Sequence, residues 1–166
     1  MTQIHVNITL PRTPLFQGQA SAVVLDEMTT GMRESLTLVD GELVKRTPVG
    51  VSGRMRSGYQ PRINIVSTQP VRLHGEVVNV TPYALYVDQG SAPHWPPWGP
   101  GSDLARWVQR KLGADVSAFL IARKISRVGT KAQNIVNRTL QVVRGPITTH
   151  FQTTVLNRIV RRLGGS

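Results

Sequence analysis

Four histidines, nine acidic residues and no cysteine set what chemistry this chain can perform. Without cysteine there is no disulfide, no thiolate metal ligand and no thiol nucleophile. His5, His74, His94 and His150 stand far apart and form neither an HxxxH nor an HExxH pattern, the spacings that put two imidazoles on one helix face around a metal. No GxSxG elbow presents a serine nucleophile. Asp26 and Glu27 are adjacent in an expected helix, so their carboxylates do not face one point. Asp88 and His94 are close enough in sequence for an acid–base pair or a structural hydrogen bond. The glycine-rich link at 47–61 carries Arg54 and Arg56 but matches neither GxxxxGK[ST] nor GxGxxG. The reading is a protein that is not an enzyme, with no cofactor, metal or small-molecule substrate.

Recognition is better represented than catalysis. Residues 81–101, TPYALYVDQGSAPHWPPWGPG, hold two of the three Trp, two of the three Tyr and five of the eleven Pro. Proline fixes φ and removes a backbone donor, so Pro93, Pro96, Pro97 and Pro100 forbid a helix or central strand there. Trp95 and Trp98 therefore ride on a stiff extended segment, presented to the chain's own helices and sheet, to a neighbouring subunit, or to both. Tyr86, Asp88 and His94 flank them. Aromatic residues and arginine dominate interface energies, which makes these residues, with Arg54 and Arg56, the candidate subunit contacts.

The net charge of +11 is placed unevenly. Residues 1–103 balance eight Lys and Arg against eight Asp and Glu, whereas 104–166 carry twelve bases against Asp115 alone. Arg123, Lys124, Arg127, Lys131, Arg158, Arg161 and Arg162 are the candidate contacts to an acidic partner or to DNA, with a solvated helical face as the plainer alternative. No helix-turn-helix or RNP-type motif accompanies them.

The elements that position these groups follow from periodicity. Residues 3–10 alternate through Ile4, Val6, Ile8 and Leu10, a half-buried strand stopped by Pro11 and Pro14, whose pairing edge lies in this chain or in a neighbour. An apolar stripe from Ala20 to Val44 predicts a helix over 19–46, with a bend or break expected at Gly31 or Gly41 and a stop at Thr47-Pro48. Residues 62–67 and 71–80 predict a hairpin, with a strand buried on both faces or a bulge near Gly75, and with His74 on the polar face as a surface side chain. Thr81-Pro82 opens a short turn that Gly90 ends. Helices are expected from Ser102 or Asp103 to Leu112, from Val116 to Val128 with Phe119, Leu120, Ile121, Ile125 and Val128 inward, weakly over 131–143, and from Gly145-Pro146 to Leu163 before a frayed GlyGlySer.

These pieces make an α+β chain: a small antiparallel sheet packed with a long N-terminal helix and several C-terminal helices. One domain of 166 residues is expected, made of a strand and extension (1–18), an α+β core (19–128) and a helical extension (129–166). No apolar run approaches the roughly 18 residues that span a bilayer, and the first residues lack the basic-then-apolar pattern of a secretory leader. Absence of cysteine suits an intracellular origin.

Three collinear segments, TPVGVSGRMRSGY (47–59), YALYVDQGSAPHWPPWG (83–99) and AFLIARKISRVGTKAQ (118–133), carry a family resemblance. With the strands between them, they resemble the small tail-component proteins of long-tailed bacteriophages, the tail-completion, head–tail joining or tail-terminator-like proteins of the neck. The resemblance implies a non-enzymatic virion protein, made in the host cytoplasm. It would form a ring, often six-fold, at the head–tail junction. Its partners would be further copies of itself and the neighbouring connector and tail-tube proteins, with DNA passing through the lumen and no membrane involved. A head-completion (stopper or adaptor) protein, or a basic non-specific DNA-binding packaging factor, is the alternative.

Overall fold

The computed structural model describes residues 2–9, 19–68 and 70–164. The expected end of the first strand at Leu10, Pro11 and Pro14, and Gly165-Ser166, lie outside them. Strand β1 (Gln3–Thr9) is followed by helix α1 (Gln19–Arg46), a helical turn α2 (Arg54–Ser57), strands β2 (Tyr59–Thr68) and β3 (Val71–Asn79), and short helix α3 (Ala84–Gln89). Then come α4 (Asp103–Leu112), α5 (Ala118–Val128), α6 (Ile135–Thr149), a π-helical segment (His150–Val155) and α7 (Leu156–Gly164). The fold is α+β, as the sequence predicts. No helix among the described residues is long and apolar enough to cross a membrane.

The three strands form one antiparallel sheet in the order β1-β3-β2. The N-terminal strand thus finds its edge within the chain, with Ile4 opposite Val77 and Ile8 opposite Leu73. Alternation sends Ile4, Val71, Leu73 and Val77 to the core. It leaves His5, Arg62, His74 and Glu76 on the opposite face. The register slips between Ile65 and Ser67 of β2, so the bulge sits at Val66 and not near Gly75. Gly75 pairs regularly with Val6 and Ile63. Its lack of a Cβ serves a different purpose: a side chain there would overlap Met32 Sδ and crowd Leu36 of α1.

Helix α1 runs unbroken for 28 residues through both of its glycines. Gly31 does not break it and is instead a point of close approach: a Cβ there would overlap Val155 Cγ2 and press on Phe151. Gly41 has nothing near it. Val24, Met28, Met32, Leu36, Val39 and Leu43 are all buried. The helix packs on β2 and β3 along one stripe and on α6, the π segment and α7 along the neighbouring stripe, and α6 also reaches β1.

The C-terminal helices form one continuous rod, where two helices meeting at Gly145-Pro146 were expected. Pro146 lies inside α6. Val142, Gly145 and Pro146 are all exposed, so water can take the carbonyl that the missing N–H leaves unpaired. The face toward α1 repeats every four residues, through Ile135, Thr139, Val143, Ile147, Phe151, Val155 and Ile159. A helix of about 3.6 residues per turn overshoots by roughly 40° at each such step. The π segment, with its wider i→i+5 turns, rotates less per residue and returns Phe151 and Val155 to α1. Ion pairs line the seam: Arg158 forks onto Glu34 at 3.0 Å and Arg162 reaches Glu27 at 2.8 Å, while His150 Nε2 lies 2.8 Å from a Glu34 oxygen.

Two glycines of one helix should therefore respond oppositely to the same change. Gly31→Ala should lower unfolding free energy by about 1–2 kcal/mol, since overpacking outweighs the gain in helix propensity. Gly41→Ala should raise it by up to about 1 kcal/mol. Urea denaturation followed by far-UV circular dichroism measures both.

Candidate interaction surface

The Pro/Trp segment is anchored at its base by polar contacts. Asp88, at the end of α3, is only 8% exposed. Its Oδ1 accepts from the Val136 N–H at 3.0 Å, and its carbonyl accepts from the Asn134 N–H at 2.9 Å. Asn134 sits in the left-handed region (φ 51°) and gives α6 no side-chain cap of its own. Asp88 therefore supplies the cap from another part of the chain. Three residues on, Ser91 and Thr130 exchange backbone hydrogen bonds at 3.2 and 3.1 Å, and their hydroxyls meet at 2.9 Å. Gly90 (φ 77°) and Gly129 (φ 70°) flank this bridge, and a Cβ on either would strike the opposing backbone.

Asp88 and His94 consequently do not pair. The His94 Nδ1 lies 2.9 Å from the Ala92 carbonyl, and the His94 backbone N–H donates to the Ile125 carbonyl at 3.4 Å. The segment then crosses α5, where Trp95 stacks on Phe119 with ring centroids 6.0 Å apart and Trp98 meets the same ring edge-on at 5.1 Å. The indoles do rest on the chain's own helix, yet Trp95 stays 58% exposed and Trp98 44%.

Helices α4 and α5 form as expected. Ser102, and not Asp103, is the N-cap of α4, its hydroxyl accepting from the Ala105 N–H at 3.1 Å. Their apolar stripes are real but largely uncovered. Among the described residues these two helices pack chiefly on each other, and only Val108 and Ala122 on them are buried. Phe119, Leu120 and Val128, expected to face inward, are exposed, as are Trp107 and Leu112. Between α3, the Pro/Trp segment, α4 and α5 opens a groove of about 860 Å³ lined by Tyr83, Tyr86, His94, Trp107, Ile121 and Ile125. Tyr86, at its rim, is 61% exposed. Phe119, Leu120 and Val128 are the members of this surface that helical periodicity assigns to the interior. Their helical spacing was visible; the lack of anything to cover them was not.

The remaining candidates divide. Arg56 turns inward and its Nε donates to the Thr47 carbonyl at 2.8 Å, while Arg54 stays exposed and its carbonyl receives the Thr81 hydroxyl at 3.3 Å. Both belong to the joint between α1, α2 and β3 rather than to the aromatic groove. Of the basic residues, Arg158 and Arg162 are engaged by acids of α1. Arg123, Lys124, Arg127 and Arg161 are exposed, and Lys131 lines the groove.

No family model, no curated protein and no solved structure matches this chain. Its function must therefore be argued from the surface itself.

The cap makes a direct prediction. Asp88→Ala should cost about 1–3 kcal/mol by leaving the start of α6 without its acceptor, and Asp88→Asn, which keeps an oxygen in place, should cost less than half of that. Equal losses in urea denaturation would show that the hydrogen bond is not what Asp88 contributes.

Proposed function

We propose that this protein is a structural assembly subunit of a phage neck. It would pack around a ring at the head–tail junction through the aromatic groove, completing or terminating the tail and leaving a passage for DNA. The observation that carries the reading is the α4–α5 lobe. With the Pro/Trp segment laid across it, this lobe leaves Trp95, Trp98, Trp107, Phe119, Leu120 and Val128 exposed, beside an open groove that Trp107 helps to line. Contiguous exposed apolar surface of this kind marks contact sites in folded proteins. The aromatic enrichment is that of interface cores, where a few such residues supply most of the binding energy. The occupant proposed is a neighbouring copy of the chain, consistent with the resemblance carried by residues 47–59, 83–99 and 118–133. Connector and tail-tube proteins would meet the ring's two ends.

DNA is the lesser reading. Arg158 and Arg162 spend their charge on Glu34, Asp26 and Glu27, which leaves a smaller free cationic surface than the sequence count suggests. Exposed Arg123, Lys124 and Arg127 on α5 would line a passage without reading sequence.

Sedimentation velocity across a concentration range tests the proposal. The full chain should form a closed oligomer of uniform mass. Trp95→Ala combined with Trp98→Ala should shift the equilibrium toward monomer by at least tenfold, with helicity unchanged. A chain that stays monomeric at every concentration, or salt-resistant and sequence-selective DNA binding, would count against it.

A further inference from the structure

The open face of the sheet carries a cluster that no local spacing in the sequence announces. His74 and Glu76 are two apart in β3 and so share a face, and His5 of β1 lies directly opposite Glu76. His5 Nδ1 is 3.2 Å from His74 Nε2 and 3.8 Å from Glu76 Oε2, and His74 Nε2 is 3.9 Å from the same oxygen. These three atoms converge on one point within 4.8 Å of one another. Ligands held about 2.0–2.1 Å from a tetrahedral ion stand roughly 3.3–3.4 Å apart. The two nitrogens are already at that separation, and Glu76 has about half an ångström to close.

The surroundings orient all three groups. Asn7 Oδ1 lies 2.6 Å from His74 Nδ1, so that nitrogen is the N–H donor and Nε2 presents its lone pair to the cluster. This carbonyl–imidazole arrangement is the outer-shell contact that fixes a metal-binding tautomer. On the other side, Arg62 Nη1 lies 4.0 Å from Glu76 Oε1, the oxygen turned away from the histidines, which leaves Oε2 for them. Without an ion the His5 Nδ1–H can donate to His74 Nε2; with an ion both nitrogens give lone pairs instead.

We propose that His5 Nδ1, His74 Nε2 and Glu76 Oε2 form a site for a first-row divalent transition metal, zinc above all. Two imidazoles and one carboxylate suit such an ion, and three protein ligands leave a fourth position for water. Because the ligands come from β1 and β3, the ion would tie the terminal strand to the centre of the sheet and stabilise the folded chain in proportion to its occupancy. Asn7 is a positioning residue: it acts on the ion only through the His74 ring.

The test uses the full chain, stripped with a chelator and titrated with zinc chloride by calorimetry, and with cobalt(II) followed by visible absorption. The expected result is one ion per chain and a melting temperature that rises with zinc. His5→Ala, His74→Ala and Glu76→Gln should each weaken binding at least tenfold, Asn7→Ala should weaken it about 10–100-fold, and His150→Gln should leave it unchanged. Long-range ¹H–¹⁵N spectra of the unsubstituted chain give a readout that needs no variant: zinc should shift His5 at Nδ1 and His74 at Nε2 and leave His94 and His150 in place. Absence of saturable one-to-one binding would overturn the proposal. So would binding that survives both His74→Ala and Glu76→Gln, or shifts confined to His94 or His150.

Discussion

The close packing of α1 against both the sheet and the C-terminal rod is the constraint on which the rest depends. Two glycines permit it. Gly75 lets β3 approach Met32 and Leu36, and Gly31 lets Val155 and Phe151 approach α1. With both contacts made, the largest buried side chains, Met32, Leu36, Leu43, Leu73 and Ile135, fall into a single core shared by the sheet, α1 and the rod. Interiors pack at the density of organic crystals, so a methyl group inserted at either crossing has nowhere to go. The π segment belongs to the same constraint, since a rod that must offer α1 a residue at every fourth position cannot hold regular α geometry over its whole length.

Around this core three segments, 47–59, 83–99 and 118–133, act as joints. In the first, Gly58 fits against Asn79 and Thr81, Asn79 Nδ2 donates to the Met55 carbonyl and Arg56 donates to the Thr47 carbonyl. The second and third meet each other through the Ser91–Thr130 bridge and the Gln133 N–H that donates to the Val87 carbonyl, and Asp88 caps α6 just beyond. Polar residues and glycines in these segments thus fix where the Pro/Trp segment leaves the core. The aromatic residues they carry are left to face outward. Rigid support beneath an uncovered apolar surface is what a binding face requires, because little ordering remains to be done when a partner arrives.

Charge follows a similar division. The basic excess lies in the last third of the sequence, yet folding sets α7 and the π segment against the acidic face of α1, where Asp26, Glu27 and Glu34 take up Arg162 and Arg158. Exposed pairs of this kind contribute only up to about 1 kcal/mol each. They leave Arg138, Arg144 and Arg161 of the rod exposed, together with Arg123, Lys124 and Arg127 of α5.

Local pattern determined most of the elements: alternation gave β1 and the hairpin, the apolar stripe gave α1, and Thr47-Pro48, Ser102 and Gly129 marked helix ends that the structure keeps. Local pattern also showed that Trp95 and Trp98 cannot lie in a helix or central strand. Tertiary structure alone decided that Gly31 is a contact and not a break, that Pro146 sits within a continuous rod, that Asp88 is a cap and that Phe119 carries the indoles on an open surface. It also brought His5 to His74 across 69 positions of sequence. The physical reason is one of range. Periodicity and capping act over a turn or two of chain, so they can be read from neighbours in sequence. Coverage, close approach and convergence of side chains depend on which distant element arrives opposite, and the register of β1 on β3 and the crossing of the rod over α1 set that only when the whole chain packs.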